Sequence, residues 1–199
     1  DDLGEAFGVG AKTLARWRDA GVDRRPAEEL VEHRHEVETL DDGAQVHTHD
    51  VIVDLDDLPR VGVSFELAPG FDRVRWYGRG PLENYPDRNR GALLGVWEAG
   101  IDESPYLVPQ EFGLRTDCRW FEFMSGDATL RLEVLDPTVM HVSATRFTAQ
   151  DLYVAGHETD LQPRRTLVVH ADVAHRGLGT ASCGPDVLDR YRIGRGSYR

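Results

Sequence analysis

Four acidic residues are candidates for general acid–base or nucleophilic chemistry: Glu83, Glu111, Asp117 and Glu122. A glycosidase uses two carboxyl groups, about 5 Å apart when it retains the anomeric configuration and further apart when it inverts it. Each of these four acids has an arginine within a few residues along the chain. Structural ion pairs therefore explain them at least as well as catalysis does, and we interpret them as structural.

Four histidines form a second candidate site, because they occur as two His-x-His pairs: His33 with His35, and His47 with His49. If residues 41–43 close a three-residue hairpin loop, His35 faces His49 across the two strands and all four rings share one face. Neutral imidazoles are common zinc ligands. The same face carries four valines, however, and no carboxylate is placed to orient the rings. A divalent metal site and a partly exposed histidine face are both open, and we expect the second, with no metal.

Sugar mutarotation is a third possibility, and it would need a histidine acid and a glutamate base on one concave face. The histidine candidates are His141, His157 and His170, and the glutamate candidates are Glu111 and Glu133. No spacing in the sequence favours any of these pairs.

The elements that must position these residues are predicted to be β-strands. Apolar and polar residues alternate with a period of two at 61–67, 130–134 and 167–173, and again at 45–55. The segment 28–40 is ambiguous between helix and strand, and we predict a strand because a turn and the run at 45–55 follow it. Turn signals separate these runs. We predict an all-β fold, a supersandwich of antiparallel sheets in a single domain, 1–199, preceded by one short N-terminal helix within 11–21.

Composition excludes several classes of partner and environment. The 199 residues carry a net charge of −12, which opposes binding to nucleic acid or to an anionic membrane. No apolar run is long enough to span a membrane and the first residues do not resemble a signal peptide, so we expect a cytoplasmic protein. The two cysteines, Cys118 and Cys183, are expected to be buried free thiols, with one disulfide as the alternative.

One stretch, "VRWYGRGPLENYPDRNRGALLGVW" at 74–97, has neither a helical period nor a long strand alternation. Its glycines permit a sharp bend and its prolines fix φ, so it reads as a compact group of turns. With "YLVPQEFGLRTDCRW" and the later "HRGLGTASCGP", it resembles the C-terminal, or small-chain, domain of β-galactosidases of glycoside hydrolase family 2. The residues that carry this resemblance are Trp76, Gly78, Gly80, Pro81, Glu83, Asn84, Tyr85, Pro86, Asp87, Arg88, Gln110, Glu111 and Arg115.

The resemblance implies a galactose-mutarotase-like supersandwich that forms the last domain of a longer polypeptide. It also implies that both catalytic glutamates lie in an upstream barrel domain, so that this chain holds no catalytic residue and does not cleave galactosides alone. The intact enzyme would hydrolyse terminal β-D-galactosides with retention, with Mg or Na bound in other domains, and would form a homo-oligomer. The alternative is a free-standing carbohydrate-binding or mutarotase-like domain.

In this family the small-chain domain also forms one wall of the active site. The resemblance maps a mobile loop to 4–12 and a substrate-stacking aromatic to the vicinity of Val168, where this chain has no aromatic residue between 164 and 179. The residues expected at the substrate rim are Gly4, Glu5, His170, Asp172, His175 and Arg176.

Overall fold

The computed structural model describes residues 30–101, 106–108, 110–126, 128–179 and 184–199. The strands are β1 (Val31–Thr39), β2 (Gln45–Val53), β3 (Arg60–Leu67), β4 (Arg73–Gly80), β5 (Leu93–Gly100), β6 (Arg115–Cys118), β7 (Trp120–Ser125), β8 (Ala128–Glu133), β9 (Met140–Thr145), β10 (Leu167–His175) and β11 (Gly196–Tyr198). A short helix, α1 (Ala149–Val154), and two 3₁₀ turns, Glu158–Asp160 and Asp189–Tyr191, lie between strands. The predicted N-terminal helix lies outside the described residues.

Two four-stranded sheets form the body of the fold, with strand orders β3-β10-β9-β6 and β5-β4-β7-β8. All their pairings are antiparallel. Inward residues of both sheets meet in one apolar core, where Trp76 and Phe121 of the second sheet join Val142, Leu167 and Val169 of the first. All five are at most 1% exposed. The predicted all-β antiparallel sandwich is therefore confirmed.

A third sheet, with order β1-β2-β11, carries the four histidines. The predicted register is confirmed, because His35 lies directly opposite His49. The backbone N–H of Leu40 donates to the carbonyl of Ala44 at 2.8 Å, which leaves 41–43 as the loop. Gly43 takes φ = 86°, a conformation that favours glycine. A small second core that includes Val53, Leu58 and Ile193 anchors the base of this sheet.

Two local features differ from the sequence prediction. Helix α1 was not predicted, although Thr148 and Asp151 form a capping box. The backbone N–H of Asp151 donates to the Thr148 hydroxyl at 3.1 Å, and the backbone N–H of Thr148 donates to the Asp151 carboxylate at 2.8 Å. The surrounding sequence, "GVWEAG", predicts that Trp97 is poorly placed for a core, and this prediction is wrong. It lies in β5 opposite Trp76, packs against the main core and donates its indole N–H to the Gly78 carbonyl at 3.2 Å.

Cys118 is a buried free thiol, as predicted, and burial raises its pKa. Cys183 lies outside the described residues. Among the residues that the structure describes, no helix has the length and apolar character of a membrane span.

Candidate functional site: a buried polar cluster beneath the glycine–proline turn

The main polar site lies on the face of the first sheet that points away from the core. Leu167 and Val169 of β10 enter the core, so the alternating residues His170 and Asp172 point to the opposite face. Asp172 pairs across the strands with His141 of β9. We call this site the polar cluster; its members are Arg60, Glu111, His141, His170, Asp172 and His175.

Arg60 joins the two carboxylates of the polar cluster. Its Nη2 atom lies 3.0 Å from Oε2 of Glu111 and 3.3 Å from Oδ2 of Asp172. Asp172 is 1% exposed, and its Oδ2 atom accepts no hydrogen bond from any residue that the structure describes. Strand β3 approaches this carboxylate closely at Gly62, where a Cβ atom would lie 2.5 Å from Oδ1 of Asp172 and 2.4 Å from the Ala171 carbonyl. A glycine is therefore required at position 62.

The two carboxylates have opposite pKa shifts. Burial alone would raise the pKa of Glu111, but the charge of Arg60 and the neighbouring His175 imidazole outweigh it and lower that pKa to about 2. For Asp172 burial wins over the attraction of Arg60 and raises the pKa to about 6. Glu111 is thus held ionised, whereas Asp172 is the carboxylate that can take up a proton near neutral pH.

Two histidines of the polar cluster, His141 and His170, are held mainly in the neutral form. Burial lowers the pKa of His141 to about 4 and that of His170 to about 3, and the Arg60 charge adds to the shift of His170. Nδ1 of His175 donates to the backbone carbonyl of Arg176 at 2.7 Å, and Nε2 of His175 lies 3.8 Å from Glu111. Neutral imidazoles can exchange hydrogen bonds with hydroxyl groups, but His141 and His170 are poor general acids at pH 7.

The glycine–proline turn consists of residues 78–88, "GRGPLENYPDR". Glu83 is one of its two acids, and its carboxylate is fully engaged. Its carboxylate accepts hydrogen bonds from the backbone N–H of Gly113, from the Tyr106 hydroxyl at 2.8 Å and from the Arg88 guanidinium. Three donors on one carboxylate join the turn to the segment that leads into β6. This arrangement supports the structural interpretation of Glu83.

Asn84 joins the same two segments from a position that is 2% exposed. Its side-chain amide donates to the carbonyls of Leu82 at 3.0 Å and Arg79 at 3.3 Å. Its side-chain carbonyl accepts from the backbone N–H of Thr116 at 3.3 Å and from the Thr116 hydroxyl. Asn84 thus makes four hydrogen bonds within the chain, which positions the turn.

Tyr85 and Asp87 connect the turn to the polar cluster and to the strand end beyond it. Tyr85 is 0% exposed, and its hydroxyl donates to Oε1 of Glu111 at 3.3 Å. The Asp87 carboxylate accepts from the backbone N–H groups of Leu178 at 3.1 Å and Gly179 at 2.8 Å, just after β10 ends. The turn therefore covers and fixes the cluster at several points.

Other residues that carry the family resemblance also have structural positions. The guanidinium of Arg115 lies over the Trp76 ring at 5.0 Å, and Gln110, with φ = 69°, donates to the Leu107 carbonyl at 2.7 Å. The Gly80–Pro81 peptide bond is cis. A Cβ atom at Gly80 would lie 2.6 Å from the Trp97 ring, so Trp97 packs against the turn only because position 80 is glycine.

The predicted rim residues fall into two groups. Asp172 and His175 are buried, whereas His170 and Arg176 remain partly exposed. Arg176 is paired with Asp57 and Asp186 at 2.6 Å and 2.9 Å. Gly4 and Glu5 lie outside the described residues. The position assigned to a stacking aromatic, Val168, is 3% exposed within β10 and offers no surface for a sugar ring.

The four acids considered first are all ion-paired, but often with partners distant in sequence. Glu83 pairs with Arg88, a near neighbour, whereas Glu111 pairs with Arg60. Asp117 pairs with Arg79, and Glu122 with Arg75 and Arg131. Sequence reasoning missed Arg60 altogether, since no local pattern distinguishes it from any other arginine at the start of a strand.

The remaining mutarotase candidates are not brought together. Glu133 ends β8 in the second sheet and contacts Arg131, and His157 precedes a 3₁₀ turn.

The histidine face of β1 and β2 lies on the third sheet. There, burial and then the other three histidines lower the pKa of His49.

Comparison with known proteins gives a consistent match. A family model described as the β-galactosidase small chain matches residues 10–199. A β-galactosidase of Arthrobacter sp. (strain B7) is 31% identical over 214 residues, which cover 89% of this chain and 20% of that protein. A β-galactosidase of Aeromonas hydrophila is 35% identical over 178 residues, which cover 85% of this chain and 16% of that protein. The chain thus spans a fifth or less of the length of these relatives.

Proposed function

Because the chain belongs to the β-galactosidase small-chain family, we propose that it serves as scaffold and active-site rim in an enzyme that hydrolyses terminal β-D-galactosides with retention. The proposal places both catalytic glutamates outside these 199 residues. Magnesium or sodium sites in other domains, a homo-oligomeric assembly and a cytoplasmic location remain predictions that follow from the family resemblance.

The state of the acids carries this proposal. A general acid for glycoside hydrolysis needs a raised pKa and access to the substrate. Glu111 has a pKa lowered to about 2 by Arg60 and His175, against the effect of its burial, and Glu83 is occupied by three donors. Asp172 has a raised pKa but is 1% exposed. None of these three combines the two properties, which supports a structural role for the turn and its cluster.

Exposed apolar residues support a partner domain in the same polypeptide. Leu82, Leu93, Leu94 and Val96 are 76%, 68%, 48% and 61% exposed, and they lie on the glycine–proline turn and on β5, the edge strand of the second sheet. Neighbouring exposed apolar side chains at a sheet edge are typical of a contact surface. We propose that the upstream barrel covers them and that His170 and Arg176 are the described residues nearest to bound galactoside.

A second candidate function is sugar binding or mutarotation by the polar cluster itself. It is favoured by one observation, that Nε2 of His175 lies 3.8 Å from Oε2 of Glu111. The strongly lowered pKa of Glu111 makes its carboxylate a weak base, which argues against efficient mutarotation.

An assay with a nitrophenyl β-galactoside separates these functions. We expect turnover by the polypeptide that the gene encodes and none by the 199-residue chain. In the longer polypeptide, Glu83→Gln and Glu111→Gln should lower stability while kcat of the folded protein stays within about tenfold of wild type. Turnover by the isolated chain would contradict the proposal. Polarimetry of fresh α-galactose tests the alternative, which requires an acceleration that Glu111→Gln removes.

A further inference from the structure

The histidine face of β1 and β2 has the geometry of a metal site that the proposed function does not use. The four histidine rings stack in two diagonal pairs across the strands, His33 with His49 and His35 with His47. The ring centroids of His35 and His49, which lie directly opposite each other, are 4.0 Å apart. Nε2 of His33 lies 3.0 Å from Nδ1 of His49, and Nε2 of His35 lies 3.1 Å from Nδ1 of His47. The ring nitrogens of four imidazoles therefore converge in pairs.

The valines of the histidine face leave the imidazoles open to solvent. Val31, Val51 and Val53 pack into the second core at the base of the sheet, and Val37 is 51% exposed. His33, His35 and His47 are exposed. One ring also has an orienting partner, since Nε2 of His47 lies 3.3 Å from Oε1 of Gln45. A partner on one ring nitrogen leaves the other to ligate a metal, as outer-shell hydrogen bonds commonly do.

We propose that His35, His47 and His49 bind one divalent transition-metal ion of the zinc and copper class, with His33 next to them. One ligand atom from each of the three lies within 4.8 Å of the other two. A tetrahedral ion with Zn–N bonds of 2.0–2.1 Å needs ring nitrogens roughly 3.4 Å apart. Rotation of the side chains about χ1 and χ2 would close that difference, because the strand register already places the three histidines on one face.

The chemistry of the ligand set defines the ion. Three neutral imidazoles favour zinc, copper and nickel over magnesium and calcium, which prefer oxygen ligands. A fourth position would be left for water or for His33. The net charge of −12 on the chain adds a favourable field for any cation. The site lies on the third sheet, apart from the polar cluster, so it neither requires nor supplies the galactosidase chemistry.

The test uses the protein as its gene encodes it, freed of metal by a chelator and then titrated with Zn²⁺ by calorimetry at pH 7.5. We compare wild type with His47→Gln, His49→Gln and the double variant. His157→Gln is the matched control, because it removes an exposed histidine from outside the face. The proposal predicts that wild type and the control bind one more equivalent of Zn²⁺ than the double variant does. Each single variant should weaken that binding at least about tenfold, since even loss of an outer-shell partner costs 10–100-fold.

A second readout separates a built site from incidental binding by surface histidines. Co²⁺ in a tetrahedral nitrogen site gives strong visible absorption, which wild type should show and the double variant should lose while circular dichroism confirms its fold. Equal zinc stoichiometry in wild type and double variant would overturn the proposal. So would affinity that His157→Gln lowers as much as His47→Gln does.

Discussion

Asp172→Asn should make the protein more stable at neutral pH, although it removes one partner of a buried ion pair. The wild-type carboxylate is 1% exposed, and among the described residues its Oδ2 atom has no hydrogen-bond donor. It also shares the charge of Arg60 with Glu111. Ionising it within the fold is therefore costly, and an amide removes that cost.

The magnitude follows from the pKa of Asp172, which burial raises from 3.8 to about 6. Between these two values the folded protein holds more protons than the unfolded chain, so its stability falls as pH rises. Each pKa unit corresponds to 1.36 kcal/mol, so the free energy of unfolding of the wild type falls by about 3 kcal/mol in total by pH 7. The free energy of unfolding of Asp172→Asn should equal that of the wild type below about pH 4 and exceed it by up to about 3 kcal/mol at pH 7.

The assay is urea unfolding from pH 3.5 to 7.5, followed by the fluorescence of tryptophan, since Trp76 is 0% exposed. Asp189→Asn serves as the control, because the Asp189 side chain is 100% exposed and surface changes usually stay within about 0.5 kcal/mol. A variant that is less stable than wild type at pH 7, or a difference that does not change with pH, would refute the reasoning.

Three further substitutions test how the turn and the first sheet are held together. Asn84→Ala removes four hydrogen bonds at a site that is 2% exposed and should lower the free energy of unfolding by about 3 kcal/mol, measured by urea titration. Gly62→Ala should cost about 1–3 kcal/mol because its Cβ would lie 2.4 Å from a backbone oxygen, whereas Gly91→Ala, with nothing within 4 Å, should be near neutral. Asp87→Ala should leave two backbone N–H groups after β10 without their acceptor, and hydrogen exchange of those amides should become faster by at least about tenfold.

The strands could be predicted from sequence because strand alternation is a local signal. Residues 61–67 and 167–173 alternate in the sequence and form most of β3 and β10. The pairing of His35 with His49 could be predicted because a three-residue loop fixes the register of a hairpin. Helix α1 had a readable signal in Thr148 and Asp151, which the surrounding strand patterns obscured.

The candidate site could be predicted only in part, because its contacts connect residues far apart in sequence. The acids were correctly interpreted as ion-paired, yet Glu111 pairs with Arg60 and not with a near neighbour. The pKa of Asp172 depends on burial that only the assembled sheet creates. The same is true of Trp97, whose place against Gly80 depends on the pairing of β4 with β5.

The central claim is that the glycine–proline turn and its polar cluster are structural and that the nucleophile of the enzyme lies elsewhere. A retaining glycosidase forms a covalent glycosyl-enzyme intermediate, which a 2-deoxy-2-fluoro-galactoside substrate traps. Labelling the protein encoded by the gene, followed by peptide mass spectrometry, identifies the carboxylate that carries the sugar. We expect one labelled glutamate, outside the 199 residues of this chain. A label on Glu83, Glu111 or any other acid of this chain would contradict a structural role for the turn and its polar cluster.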